Sequence, residues 1–109
     1  MPFYDDAGIP HPQVPAHTTD GVVLEWLVAE RSWVQSGDRI ARVQVGDKRY
    51  VVRIGFPAVV QRLRVGSGQH VRATEAILTW AADGESIPPR DRQFELVPES
   101  DPPQLTGGP

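Results

Sequence analysis

The feature that most constrains the fold is an internal similarity at a spacing of 37 residues. Residues 22–43 lie over residues 59–80 without a gap. Identical residues coincide at Val22/Val59, Val23/Val60, Val28/Val65, Val34/Val71 and Ile40/Ile77. Apolar residues also coincide at Trp26/Leu63, Ala41/Leu78 and Val43/Trp80. Because neither half is long enough to enclose a core, the pattern predicts two similar halves that pack as a quasi-two-fold pair of sheets.

A predicted β-hairpin joins the two halves. Apolar residues alternate on either side of Gly46-Asp47, and such a turn needs a residue that tolerates positive φ. Turn signals also separate the other runs rich in β-branched residues, and a sustained helical period is absent. We therefore predict an all-β sandwich or barrel. Its main strands are predicted at Val22–Val28, Arg39–Val45, Lys48–Ile54, Ala58–Val65 and Glu75–Ala81.

The distribution of proline predicts the domain boundaries. Of the 11 prolines, only Pro57 lies within residues 21–87. Proline cannot donate a hydrogen bond to a sheet, so we predict one domain over residues 21–87. A flexible, proline-rich N-terminal tail is predicted over residues 1–20, and a proline-rich C-terminal tail over residues 88–109. Within the latter, Arg92–Val97 alternates well enough for a short edge strand.

Composition excludes several classes of function. The chain has no cysteine, which excludes disulfides, thiolate metal sites and cysteine nucleophiles. No apolar run approaches the roughly 20 residues of a transmembrane helix. The N-terminus carries Asp5-Asp6 and does not read as a signal peptide, so we expect a cytoplasmic protein without a membrane partner. The net charge is −3 and no basic stripe is present, so a nucleic-acid partner is not expected.

The histidines and serines do not indicate a catalytic or metal site. His11, His17 and His70 are far apart in the sequence, and their spacing does not match a metal-ligand set. Ser67 lies between Gly66 and Gly68, where a turn is the simpler interpretation than a nucleophile. We therefore expect neither a catalytic residue nor a metal ligand, and predict that the protein is not an enzyme.

The tryptophans and arginines are better candidates for binding. Trp26 and Trp80 align with apolar residues of the other half and are predicted to lie in the core. Trp33 lies in a polar loop, as an exposed recognition residue or as a cap over the barrel end. The second half also holds a cluster of arginines, Arg49, Arg53, Arg62, Arg64 and Arg72, of which Arg62 and Arg64 have the same strand parity and share a face. The arginines form a solvated outer face, a surface for docking a partner or, least favoured, a site for phosphate.

Both halves and the central hairpin resemble the biotinyl/lipoyl domain family. They are most similar to the lipoyl domains of 2-oxoacid dehydrogenase acyltransferases. The similar residues are Leu27-Val28, Val34, Ile40, Val43 and Val45-Gly46-Asp47-Lys48 in the first half, and Pro57-Ala58-Val59-Val60, Val65, Gly68, Val71 and Ile77 in the second. The resemblance covers residues 21–81. It implies a flattened β-barrel, or barrel-sandwich hybrid, with quasi-two-fold symmetry.

The resemblance also implies a modified lysine. In the family, a lysine at the hairpin tip carries lipoyl or biotinyl as an amide on its ε-nitrogen. Gly46-Asp47-Lys48-Arg49 is similar to the lipoyl version and lacks the methionines of the biotinyl one, which implies covalent lipoyl on Lys48, with biotin less favoured. However, an ungapped alignment places Asp47 at the position of the family lysine. A slip of one residue turns a side chain to the opposite face.

Two functions therefore stay open. The first is a free-standing lipoyl-type carrier that presents an acyl or aminomethyl group on Lys48 to partner enzymes, such as an acyl-transferring complex, after modification by a lipoyl ligase. The alternative is an unmodified domain that acts as a protein–protein interaction module through Trp33 and the arginine face. An exposed Lys48 at the outermost point of the turn would favour the carrier. Asp47 in that place, with Lys48 back along the strand, would favour the interaction module.

Overall fold

The computed structural model describes residues 2–99 and confirms the predicted all-β fold class. Besides strands, this part of the chain contains two single-turn 3-10 helices, at Gly84–Ser86 and Arg90–Arg92. The predicted C-terminal tail lies outside the described residues from position 100 onward. The strands are β1 (Pro2–Ala7), β2 (Gly21–Trp26), β3 (Ser32–Val34), β4 (Arg39–Val45), β5 (Lys48–Ile54), β6 (Ala58–Leu63), β7 (Gln69–Val71), β8 (Leu78–Asp83) and β9 (Phe94–Pro98).

The strands form two antiparallel sheets around one core. The first sheet has the strand order β1-β8-β6-β3, and the second has the order β7-β2-β4-β5-β9. The alternation along each strand places one apolar set in the interior. Trp80 is fully buried there and meets Phe56 edge-to-face, with ring centroids 4.8 Å apart. Other fully buried side chains are Ile9, Val23, Ile40, Val43, Val52, Ile54, Val60, Ile77 and Leu78.

The pairings of the two sheets follow the 37-residue spacing of the sequence. In the second sheet, Val22, Val23, Glu25 and Trp26 of β2 lie opposite Gln44, Val43, Arg42 and Ala41 of β4. In the first sheet, the residues 37 positions later on β6 and β8 lie opposite one another in the same way. The bulge between Val23 and Glu25 likewise has its counterpart between Val60 and Arg62. The short strands cross over, so that β3 pairs with β6 and β7 pairs with β2.

The folded unit extends beyond residues 21–87 at both ends, which corrects the boundaries predicted from proline. At the N-terminus, β1 pairs with β8 along its whole length, and Ile9 is fully buried in the core. At the C-terminus, β9 pairs with β5, which confirms the edge strand predicted near Arg92–Val97. Pro2 begins one edge strand and Pro98 ends the other. Proline is tolerated at such positions because no ladder donor is required there, so these prolines mark sheet edges and not domain ends.

Candidate functional site

The hairpin has the turn that its sequence predicts. The strands β4 and β5 pair as far as Val45 and Lys48, which leaves Gly46 and Asp47 as the two turn residues. Gly46 has φ of +64°, whereas Asp47 does not have positive φ. Positive φ at only the first turn residue is the pattern of a type II′ turn, which matches the twist of the flanking strands. Glycine is therefore required at position 46 by the turn itself.

Lys48 lies in the strand and not in the turn. It is the first residue of β5 and is exposed, while the exposed Asp47 occupies the turn. Directly opposite residues share a face, so Lys48 shares the face of Val45, which packs against the core. Within residues 2–99, the Lys48 amine has neither a hydrogen bond nor an ion pair. The attachment of lipoyl to Lys48 stays a prediction.

An aromatic and apolar row crosses the outer face of the first sheet. Trp33 lies opposite Val59, Val59 opposite Ala81, and Ala81 opposite Tyr4. The side chains of this row point away from the core, because their neighbours Val60 and Trp80 point into it. Trp33 and Tyr4 are 71% and 60% exposed. The row therefore presents two exposed aromatic rings on either side of an apolar floor. Of the two interpretations of Trp33, the exposed one describes its position.

Three arginines surround a shallow cavity of about 410 Å³ on this face. The cavity is lined by Arg31, Val59, Gln61, Arg62, Arg64 and Thr79. Arg62 and Arg64 lie together as strand parity predicted, because the bulge at Gln61 leaves both on the outer face. Trp33 lies directly across the strand pair from Val59. We name Arg31, Trp33, Val59, Arg62 and Arg64 the arginine–tryptophan surface.

The arginines of this surface form no ion pair within the described part of the chain. No carboxylate of residues 2–99 lies within ion-pair distance of Arg31, Arg62 or Arg64, and the ion pairs seen there both involve Arg42. The Glu30 carboxylate accepts a hydrogen bond from the Leu63 N–H at 2.9 Å, which places one acidic group near these arginines. Three guanidinium groups with unused donors therefore border one cavity.

Arg31 has a backbone conformation that suits glycine better. Its φ is +64°, and its N–H donates to the Val60 carbonyl at 2.5 Å. The residue 37 positions later is Gly68, with φ of +82° and an N–H that donates to the Val23 carbonyl at 2.6 Å. The left-handed region costs a non-glycine residue about 1–2 kcal/mol. Sequence reasoning missed Arg31 as a site residue, although its alignment with Gly68 was a usable signal.

On the outer face of the second sheet, one arginine is held by two carboxylates. Glu25 stands where the first sheet has Arg62, and it accepts a hydrogen bond from Arg42 at 3.0 Å. The Arg42 guanidinium also donates to both carboxylate oxygens of Glu99, at 2.6 and 3.1 Å. Hydrogen bonds to Glu99 and then Glu25 raise the pKa of Arg42, and the bond from Arg42 lowers the pKa of Glu99.

A second cavity of about 540 Å³ lies beside the ends of β1 and β6 and is lined in part by Arg64, Arg90, His17, Asp6 and Glu75. Its cations are accompanied by acids, and the Glu75 carboxylate accepts the Arg72 N–H at 2.7 Å. This cavity therefore has a mixed charge, unlike the smaller one.

The remaining candidates have mainly structural contacts. His11 Nδ1 accepts the backbone N–H groups of Gln13 and Val14, both at 3.1 Å. Trp80 is buried as predicted, and Trp26 is half-buried, packs against the core and donates to the Val65 carbonyl at 2.8 Å. Residues 2–99 contain no group of three or more histidine, aspartate or glutamate residues placed to hold a metal ion. None of the helices in that range is long and apolar enough to cross a membrane.

Comparisons of this chain with models of known protein families, with curated proteins and with solved structures found no match.

Proposed function

We propose that this protein is an unmodified domain on a biotinyl/lipoyl-type scaffold, and that it acts as a protein–protein interaction module through the arginine–tryptophan surface. The observation that carries this proposal is a cavity bordered by three arginines that lack ion-pair partners in the described part of the chain, with the exposed Trp33 directly opposite its lining residue Val59. Catalysis is not part of the role; the domain presents a surface.

The matched registers of the two sheets support the scaffold. Pairings, bulges and loop hydrogen bonds recur at a spacing of 37 residues. For example, the Leu27 N–H donates to the Ile40 carbonyl, and the Arg64 N–H to the Ile77 carbonyl, at 2.9 and 2.8 Å. In each half, the short strand pairs with the sheet of the other half: β3 pairs with β6, and β7 pairs with β2. A quasi-two-fold flattened barrel requires this exchange. The resemblance of residues 21–81 to the family is consistent with this arrangement.

The hairpin supports the unmodified state. A modifying ligase must read a lysine held at the tip, where it can enter the ligase active site. In this chain Asp47 is in the turn, and Lys48 is paired opposite Val45 on the strand. Its side chain therefore starts from a different position and a different face.

Intact-mass measurement tests the unmodified state. The protein is purified from its native host, and separately after co-expression with a lipoate ligase and with a biotin ligase. We expect the unmodified mass in all three cases. The informative companion is a double variant, Asp47→Lys with Lys48→Ala, which moves the lysine into the turn. A lipoyl-sized increment in this variant alone supports both the scaffold and the displaced lysine.

The carrier function is the second candidate, because Lys48 is the only lysine in the chain, is exposed and adjoins the turn. A lipoyl-sized increment on the unaltered protein that disappears in Lys48→Ala would establish it and overturn the unmodified state. The partners would then be the enzymes of an acyl-transferring complex.

A further inference from the structure

We infer that the ligand of the arginine–tryptophan surface is an anionic segment of a partner protein. A carboxylate or phosphate group of that segment occupies the cavity between Arg31, Arg62 and Arg64, and an adjacent residue packs on Trp33. The inference rests on the proposed interaction function and specifies the chemistry of the partner.

Charge determines the sign of the ligand. The three guanidinium groups border a cavity of about 410 Å³ and have no ion-pair partner among residues 2–99. Guanidinium donors in a planar fork match the oxygens of carboxylates and phosphates, and such hydrogen bonds are stronger than neutral ones. Clusters of arginine are a recurring means of recognising phosphorylated or acidic protein segments.

The apolar part of the surface indicates that the ligand is more than a free ion. The floor beside the arginines is formed by Val59, which lies directly opposite the exposed Trp33. An inorganic anion would leave this floor and the indole ring in water. A peptide can place an acidic side chain among the arginines and an apolar neighbour on the ring, which buries both.

The limited extent of the positive charge favours a peptide over a nucleic acid. The net charge of the chain is −3, and the adjoining cavity brings Asp6 and Glu75 close to Arg64. A nucleic acid presents a phosphate at every nucleotide and is bound along an extended basic track. Here three arginines border one small cavity, which suits one or two negative charges.

The backbone of Arg31 is consistent with a role for its side chain. The equivalent position in the other half is occupied by Gly68, which fits a left-handed conformation without strain. Arg31 adopts this conformation at a cost, and its guanidinium borders the cavity.

The test uses fluorescently labelled peptides that differ at one central pair of residues: Gln-Gln, Glu-Glu or two phosphoserines, flanked by proline and leucine. Fluorescence anisotropy is measured with the full chain at low and at physiological salt. We expect saturable, salt-sensitive binding of the anionic peptides and none of the Gln-Gln peptide. The tighter of the two anionic peptides identifies whether the group is carboxylate or phosphate.

The variants exchange each residue for the one found 37 positions away: Arg31→Gly, Trp33→His, Arg62→Glu and Arg64→Leu. We expect Arg62→Glu to weaken binding at least about tenfold, as the loss of a charge-assisted hydrogen bond predicts. Arg72→Glu changes the net charge equally at an exposed residue that lines neither cavity, and should alter affinity less than about twofold.

Each result has a distinct meaning. No saturable binding up to about 1 mM anionic peptide overturns the inference, and so does binding of single-stranded DNA or RNA in place of the peptides. Equal losses in Arg62→Glu and Arg72→Glu would show nonspecific attraction and also overturn it. The interaction function itself is tested by capturing proteins from the native host with the unaltered chain and with Arg62→Glu. If both capture the same set of proteins, the interaction function is overturned. If the captured sets differ but the peptides do not bind, only the inference about an anionic segment is overturned.

Discussion

The two outer faces of this protein share a backbone plan and differ in chemistry. Both follow the same register, with a bulge at the same point and the same loop hydrogen bonds. On the second sheet, Arg42 is held between Glu25 and Glu99, whereas Arg39, Arg49 and Arg53 of that sheet form no ion pair among residues 2–99. On the first sheet, the equivalent of Glu25 is Arg62, and the arginines there have no such partners among residues 2–99.

The two faces have the same backbone pairing but different side chains, so the pairing is required by the fold and the exposed side chains are not. Two pairs of equivalent exposed positions carry different side chains, Glu25 and Arg62, and His70 and Trp33, whereas the left-handed position of Arg31 suits its counterpart Gly68 better. An ion pair on the second face is a local structural contact that also ties the end of β9 to β4. On the first face, three arginines without an ion pair among residues 2–99 border one cavity, which is why the proposed binding function is assigned to this face.

The largest predicted effect concerns the N-terminal segment, whose strand β1 pairs with β8 in the first sheet and whose Ile9 lies beside Gly21 of the second. A Cβ atom on Gly21 would lie 2.7 Å from the Gln44 carbonyl oxygen and 3.0 Å from Ile9 Cδ1, whereas the equivalent residue of the other half, Ala58, accommodates its Cβ atom. Ile9 is fully buried, so Ile9→Ala should lower the free energy of unfolding by about 2–5 kcal/mol. Urea denaturation measures this. Val14→Ala, at an exposed residue of the same segment, should change it by less than about 0.5 kcal/mol. Equal effects of the two changes would show that the segment does not contribute to the core.

A smaller effect comes from breaking the ion pair between Arg42 and Glu99 on the second face. The bond from Arg42 lowers the pKa of Glu99 below its ordinary value of 4.5, so the ionised pair stabilises the folded state above that pH. As the pH falls through the folded-state pKa, Glu99 is protonated and the contribution is lost. The urea midpoint of unfolding is measured for the unaltered chain and for Glu99→Gln between pH 3 and pH 7. At neutral pH the unaltered chain should have the higher midpoint, and the two midpoints should converge as the pH falls. A constant difference across this range would contradict the assignment.

The smallest expected effect makes the two halves more alike. Arg31→Gly relieves the left-handed strain of arginine but adds freedom to the unfolded chain, so the free energy of unfolding should stay the same or rise by up to about 1 kcal/mol. Thermal denaturation checks this. Arg31→Ala is the control: it keeps the strain and should not be stabilising. A clear loss of stability in Arg31→Gly would mean that the Arg31 side chain supports the fold.

Much of the fold was predictable because it depends on local pattern. Alternation of apolar residues gave the hairpin, and Gly46 fixed its turn because the turn requires positive φ. The strand β1 was not predictable in the same way. Its partner β8 lies more than 70 residues away in the sequence, and nothing in Pro2–Ala7 specifies that pairing. The prolines predicted the domain ends wrongly because Pro2 and Pro98 are tolerated within edge strands of the folded unit.

The candidate site was predictable in part for the same reason. Strand parity placed Arg62 and Arg64 on one face. Arg31 was not found, because it lies in a loop whose course depends on a left-handed residue and on a hydrogen bond to Val60. The position of Lys48 relative to the turn also depended on pairing register, which an alignment to a family motif leaves open by one residue.

The four sheet edges have a consequence for the behaviour of concentrated solutions. An uncovered edge strand can recruit the edge of another molecule and begin fibril growth. Here β3 and β7 are edges of only three residues each. The longer edges have other protection: Pro2 and the Asp5-Asp6 pair on β1, and Pro98 on β9. The native protein should therefore resist fibril formation on storage. Substitutions that remove these prolines or acids should shorten the lag time before fibrils form.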